Sequence, residues 1–341
     1  MNNSAKSCLK QQNKIRLLYI VGFASLALAA AVGLSLGSTR LIFADILQDL
    51  SNSTTSSNST LILFYVRTPR IVSSLVCGAA LAVSGAIIQG VLSNKLASPS
   101  IIGVNSGAGL AVTVCTALGF YGGWQLSLFS FIGAFVTVTL VTVGARKWNA
   151  SRGTVILIGV AVNSLLSAVS DTIVTFVPTV SILSNDFKIG EFSSVTYARL
   201  IPAALVIIVT ISASLTLTTQ LDVLSLGEDT AKSLGMNTTA MRTVFLLLAA
   251  LLAGCAVSLA GLLSFVGLIV PHAIRRLAGS KSSHIMALCA IFGASFVSLC
   301  DTVARTAFAP YEIPVGIIMA FLGAPFFIFI LIKGKGGSAD D

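Results

Sequence analysis

The sequence predicts an all-α polytopic membrane protein with about ten transmembrane helices. Three observations carry this. Hydrophobic residues make up 55% of the chain and charged residues only 10%, where a soluble domain carries roughly a quarter charged residues. The apolar residues fall into ten runs near the ~20 residues a helix needs to cross the ~30 Å hydrocarbon core. The positive charge is collected in the short segments between those runs. With so few charges to cover so much apolar surface, the lipid bilayer has to be the solvent for most of the chain.

The runs are read as spans near 16–36, 69–90, 100–118, 126–145, 154–177, 200–219, 241–261, 264–275, 284–300 and 313–332. They form one ten-helix transmembrane domain over 16–332, between a polar, basic, disordered tail at 1–15 and a tail at 333–341. Thr68 and Pro69 read as an N-cap and a first-turn proline opening the second span. Pro99, Pro202 and Pro314 sit near other helix starts. Pro271 reads as the end of the short eighth span, and Pro325 as a kink inside the tenth. Small residues four apart (Gly103 and Gly107; Ala249 and Ala253; Gly316, Ala320 and Ala324) read as seams for close helix packing. The stretches 81–99 and 255–271 share an AVS-Gly-apolar-Pro pattern, a faint sign of an inverted repeat.

Fifteen of the 21 lysines and arginines fall in segments on the side of the N-terminus. By the positive-inside rule, both termini are cytoplasmic and the chain is a multi-pass protein of the cytoplasmic membrane. The net charge of +9 is thus a product of topology, and no basic cluster is dense enough to bind nucleic acid. Six scattered cysteines, at positions 8, 77, 115, 255, 289 and 300, show no metal or disulfide spacing and read as small packing residues. Residues 51–60 form a Ser/Thr-rich external loop.

The span centres hold no Lys, Arg, Glu or His. An ion-coupled carrier usually keeps ionisable groups there, and an enzyme needs a nucleophile with its base, or a metal cluster. Neither constellation is present, so no catalytic or metal-binding residue is assigned. His272 and His284 lie at helix ends. The loop 220–240 is different, because it reads as folded. Ser225 and Glu228 have capping-box spacing, Glu228 and Asp229 suit a helix N-terminus, and Gly235 is a C-terminal stop. A two-turn helix over 225–236, acidic at its start, is a poor lipid anchor and a better docking knob for a cytoplasmic partner.

At this point LGEDTAKSLGM resembles the coupling-helix motif of permeases in the iron-siderophore, haem and vitamin B12 importer family of ABC transporters. The segments at 67–110, 261–279, 301–308 and 313–331 are also similar to that family, in order and spacing. KIGEFSSV (188–195) departs from it, lacking the usual Trp and Gly-Ser pair. The resemblance implies a vitamin B12 permease-like fold and a homodimer with its path on the dimer axis. It implies two ATPase subunits per complex, which use ATP and Mg, and an extracytoplasmic binding protein. Leu226, Gly227, Glu228, Thr230, Ala231, Leu234 and Gly235 would couple to the ATPases. Gln89, Asn94, Pro99, Gly267, Pro271, His272, Arg275, Pro314, Gly316 and Pro325 would be structural motif positions, with loop 94–99 and segment 271–279 beside the coupling helix. Arg67, Arg70 and Arg305 would dock the binding protein, although Asp301 is placed to pair with Arg305 at i, i+4. Independently, no G-x-x-x-x-G-K-[ST] occurs, so ATP hydrolysis belongs to partners, and the chain itself binds no cofactor. A ferric siderophore ranks first as cargo, then haem, then cobalamin. An ion-coupled secondary carrier is the alternative from another class.

Overall fold

The computed structural model describes residues 2–37, 58–121, 123–148 and 150–335. Residues 51–57 of the Ser/Thr-rich loop, and the tail beyond 335, lie outside the described residues. Among the described residues the longer helices, of 13 residues or more, are α1 (Asn2–Ser35), α2 (Asn58–Leu92), α3 (Val104–Ala117), α4 (Gly123–Lys147), α5 (Arg152–Phe176), α7 (Tyr197–Thr216), α10 (Thr238–Ala260), α11 (Val266–Ala278), α12 (Ser282–Thr306) and α13 (Val315–Lys335). Three short helices interrupt them: α6 (Ser181–Ile189), α8 (Thr218–Ser225) and α9 (Glu228–Ser233). Seven are long and apolar enough to cross a membrane; α3, α11 and the apolar part of α13 are shorter.

Helix α2 is the centre. Its apolar window is 78% buried inside the bundle, against 17% for α1 and α5, so it is packed on all sides while they are peripheral. Lipid gives helices no hydrophobic reason to associate, so close backbone approach must hold them. A Cβ on Gly78 would lie 2.2 Å from the Gly293 carbonyl oxygen of α12, and one on Gly85 would lie 1.9 Å from that of Gly267 in α11. Along the other flank, the Cys77 thiol and Ser84 hydroxyl donate to the carbonyls of Ala256 and Ala249 on α10. Cys77, Cys115, Cys255, Cys289 and Cys300 are buried and free.

Four local readings are corrected. Pro69 does lie in the first turn of the α-helical run Thr68–Leu92, but Thr68 is not its N-cap: α2 reaches back to Asn58 through a π-helical turn, Ile62–Arg67, just before the proline. Pro69 has no N–H for the carbonyl four residues back, and the wider turn accommodates that loss. Pro271 does not end α11, which continues to Ala278 and stops at Gly279, φ +90°. The chain is helical from Asn2 rather than disordered to residue 15, because Ala, Lys, Leu and Gln extend the apolar helix with good helix formers. The shared pattern at 81–99 and 255–271 does not give the same local structure: α2 runs straight through Gly85, while α10 ends at Gly261, φ +71°.

The segment at 188–195 is a backbone junction. Glu191 N–H donates to Ala260 O (2.8 Å), Leu262 N–H to Phe187 O (2.9 Å) and Gly316 N–H to Gly190 O (3.2 Å), while Phe192 is fully buried. Gly85→Val should overpack the α2–α11 crossing at or beyond the usual ~1–3 kcal/mol. Gly109→Ala, where an added methyl meets nothing within 4 Å, should raise stability by about 0.5–1 kcal/mol. Thermal midpoints of the detergent-purified variants should move in opposite directions.

Candidate functional site: the two ends of the bundle

One end is built on the α8–α9 elbow. Gly227, at φ +119°, breaks the two helices apart. The expected capping box is absent because the Ser225 hydroxyl donates to the Asp222 carbonyl at 2.7 Å, and Gly227 is the N-cap. Glu228 instead pairs with Lys232 (3.0 Å) and with Arg242 of α10 (2.9 Å). Hydrogen bonds from Lys232, then from Arg242, hold its carboxyl below the usual carboxylate range. The stop is as expected. Gly235 adopts φ +79°, its N–H donates to Lys232 O (2.9 Å), and Met236 N–H donates to Ala231 O (3.0 Å), which together make a Schellman motif.

The elbow is pinned to its neighbours. Arg152 of α5 donates to the Leu224 carbonyl (3.0 Å) and the Ser93 hydroxyl, and Asp222 accepts from the Ser282 backbone N–H (2.9 Å). Loop 94–99 and segment 271–279 are therefore gathered on this end. Ala231 is buried beneath α9, and Thr230 is exposed. Leu226 and Leu234 flank the helix, each 64% exposed. Two large apolar side chains are thus held out on the polar elbow, on the same end as Trp148, 71% exposed.

The structural motif positions converge just inside it. Pro271 lacks the N–H that would bond the Gly267 carbonyl, and the Gln89 side-chain amide donates to that carbonyl instead, at 3.3 Å. Arg275 reaches back from α11 to the Ala86 carbonyl, 2.9 Å. Asn94 closes its loop by accepting from Leu96 N–H (2.9 Å), and Pro99 opens a 3₁₀ turn, Pro99–Ile102. His272 is half-buried on α11, and Pro325 lies within α13. At the opposite end Pro314 directly precedes α13, where Gly316 packs on the Ile189 carbonyl.

That opposite end holds a buried ionic cluster. Arg70 grips Asp301 with two nitrogens (3.0 and 3.1 Å) and Glu312 with a third (2.7 Å). Arg305 lies 3.5 Å from Asp301 and donates to Gly33 O (2.5 Å), while Arg67 donates to Leu34 O (2.9 Å) and Ser35 O (3.0 Å). The cations thus sit on the carbonyl-rich C-terminal end of α1, where the helix dipole favours them. Arg67, Arg70 and Arg305 are 3%, 8% and 2% exposed. In this structure all three turn inward and fasten α1, α2 and α12. The i, i+4 spacing foretold the Asp301–Arg305 pair. Arg70, Glu312 and the α1 carbonyls come from distant sequence, and the signal for them was a lone acid near the end of an apolar span.

Taken together, the described residues form a bundle of long apolar helices with a pinned polar elbow at one end and a buried ionic cluster at the other, the build of a multi-pass membrane protein. The chain belongs to the FecCD transport family, whose model matches residues 25–333. It is 32% identical over 323 residues to the hemin transport system permease protein HmuU of Yersinia pestis, covering 91% of this chain and 92% of that one. It is 34% identical over 286 residues to the vitamin B12 import system permease protein BtuC of Yersinia pseudotuberculosis serotype O:1b (strain IP 31758), covering 82% and 84%. A solved ABC transporter assigned to the metal-chelate type, in an inward-facing conformation, superposes with a TM-score of 0.81 at 29% identity, over 93% of this chain and 99% of that one.

Two predictions follow from the buried contacts. Gln89→Leu should cost about 1–3 kcal/mol by stranding the Gly267 carbonyl. Pro271→Ala restores an N–H to that carbonyl, so the double variant should lose less than the sum of the singles in a thermal double-mutant cycle. Asp301→Ala should cost about 3–5 kcal/mol, because it leaves buried guanidinium groups without their carboxylate. Glu312→Gln, at a side chain 33% exposed, should cost below about 1 kcal/mol; equal losses in the two variants would contradict the geometry.

Proposed function

We propose that this permease moves an iron complex, a ferric siderophore, across the cytoplasmic membrane as one of two identical subunits. Both termini are cytoplasmic. Two ATPase subunits, using ATP and Mg, bind the α8–α9 elbow, and an extracytoplasmic binding protein delivers the cargo to the opposite end. The observation that carries this reading is the pair of exposed leucines, Leu226 and Leu234, on an elbow fixed by Gly227, Glu228 and Gly235. Water is a poor partner for both side chains, and a groove on another protein is a good one. The hemin and vitamin B12 relatives favour haem or cobalamin as the second reading of the cargo.

Leu226→Asp with Leu234→Asp should leave a monodisperse permease that no longer retains its ATPase partners on co-purification. Gly235→Val should have the same effect by straining a position at φ > 0. Uptake of radioiron offered as ferric siderophore should persist when ion gradients are collapsed and stop when ATP is depleted. Uptake that follows the ion gradient would mean a secondary carrier, and competition by hemin or cobalamin alone would reassign the cargo.

A further inference from the structure

One cleft shares no residue with the elbow or with the buried ionic cluster. It opens on the flank of the bundle between α4, α7 and α10 and holds about 520 Å³, within the range of ~300–1,000 Å³ typical of sites for small ligands. Leu128, Phe131, Ala203 and Val206 line it. Water needs two to four polar partners to settle in a cavity, and this lining provides few. The spans of α4 and α7 are only 33% and 22% buried within the bundle, so the cleft faces the apolar surroundings of the membrane.

A cation sits at its rim. Arg199, half-buried in the first turn of α7, donates to Ser127 Oγ (2.6 Å), Ser258 O (3.0 Å) and Ser194 O (3.2 Å). All these acceptors are neutral, and among the described residues no carboxylate pairs with it. Arg70, Arg242 and Arg305 each have one. A guanidinium at the margin of a membrane without a counter-charge is costly; Ser127, Ser194 and Ser258 take four of its five N–H donors, which leaves one to meet a phosphate. Trp124, 62% exposed and in the first turn of α4, stands on the same rim, as tryptophans do at the level of lipid headgroups.

We infer that this cleft binds one anionic phospholipid, with the headgroup phosphate on Arg199 and an acyl chain along Phe131, Ala203 and Val206. The apolar depth of the cleft distinguishes this ligand from free phosphate, which would satisfy Arg199 and leave the cleft empty. The bilayer around α4 and α7 supplies the ligand at high local concentration.

The test is native mass spectrometry of the full-length permease in detergent, with phosphatidylglycerol or phosphatidylcholine added. The wild type should retain one phosphatidylglycerol through detergent exchange, about tenfold more than phosphatidylcholine. Arg199→Gln should fall to the phosphatidylcholine level, and Arg199→Lys should keep part of the preference. Ala203→Trp fills the cleft with the cation intact and should lose both lipids. Equal retention of the two lipids by wild type, or undiminished retention by Ala203→Trp, would overturn the site. Displacement of the lipid by millimolar inorganic phosphate would also overturn it, leaving a simple anion site. These wild-type arms decide the matter even where Arg199→Gln does not fold.

Discussion

The centre of the bundle turns on one carbonyl, that of Gly267. Pro271 cannot donate to it, Gln89 does, and Gly85 lies close enough beneath it that no larger residue fits. In water an unpaired carbonyl would find a solvent partner. In a bilayer it finds only protein, and leaving it unpaired costs about 1–3 kcal/mol. The proline in α11, the amide on α2 and the glycine one turn earlier on α2 therefore form one solution to one problem. With that crossing fixed, α2 can also meet α12 at Gly78 and α10 at Ser84, and the peripheral helices pack around a core already set.

The same scarcity of solvent places the charges. Asp301 is 1% exposed, which is tolerable because Arg70 closes on it with two hydrogen bonds and Arg305 adds a second cation. The surplus positive charge of Arg67 and Arg305 is met by the last carbonyls of α1. At the other end Glu228 works in a wetter setting. Its pairs with Lys232 and Arg242 are partly exposed and so contribute orientation more than stability. One end is thus a dry clasp of helices, and the other is a surface held in shape for contact.

Much of this was legible in the sequence because lipid makes helices obligatory, and apolar runs of the right length read directly as helices. Glycine also read correctly where geometry leaves no choice, as at Gly235. Proline was read less well. Thr68-Pro69 and Pro271 look like a start and a stop, and both lie within helices, because a π turn in one case and Gln89 in the other make good the lost hydrogen bond. Neither compensation is local in the way a propensity is. Arg67, Arg70 and Arg305 were recognisable as positions that matter. Their direction was not, since the acids and carbonyls that turn them inward belong to α1, α12 and the stretch before α13.

Helix α10 connects the two ends physically. Near its start Arg242 holds Glu228 of the elbow, at mid-length Ala249 accepts from Ser84, and in its last turn Ser258 accepts from Arg199 and Ala260 from Glu191. It then breaks at Gly261 and Phe265, the latter a bulky residue at φ +67° whose ring lies against Gly323 of α13. A left-handed phenylalanine is strained and persists only where packing imposes it. The strain therefore sits at the joint between α10 and α11, next to the helix that reads both the elbow and the opposite junction.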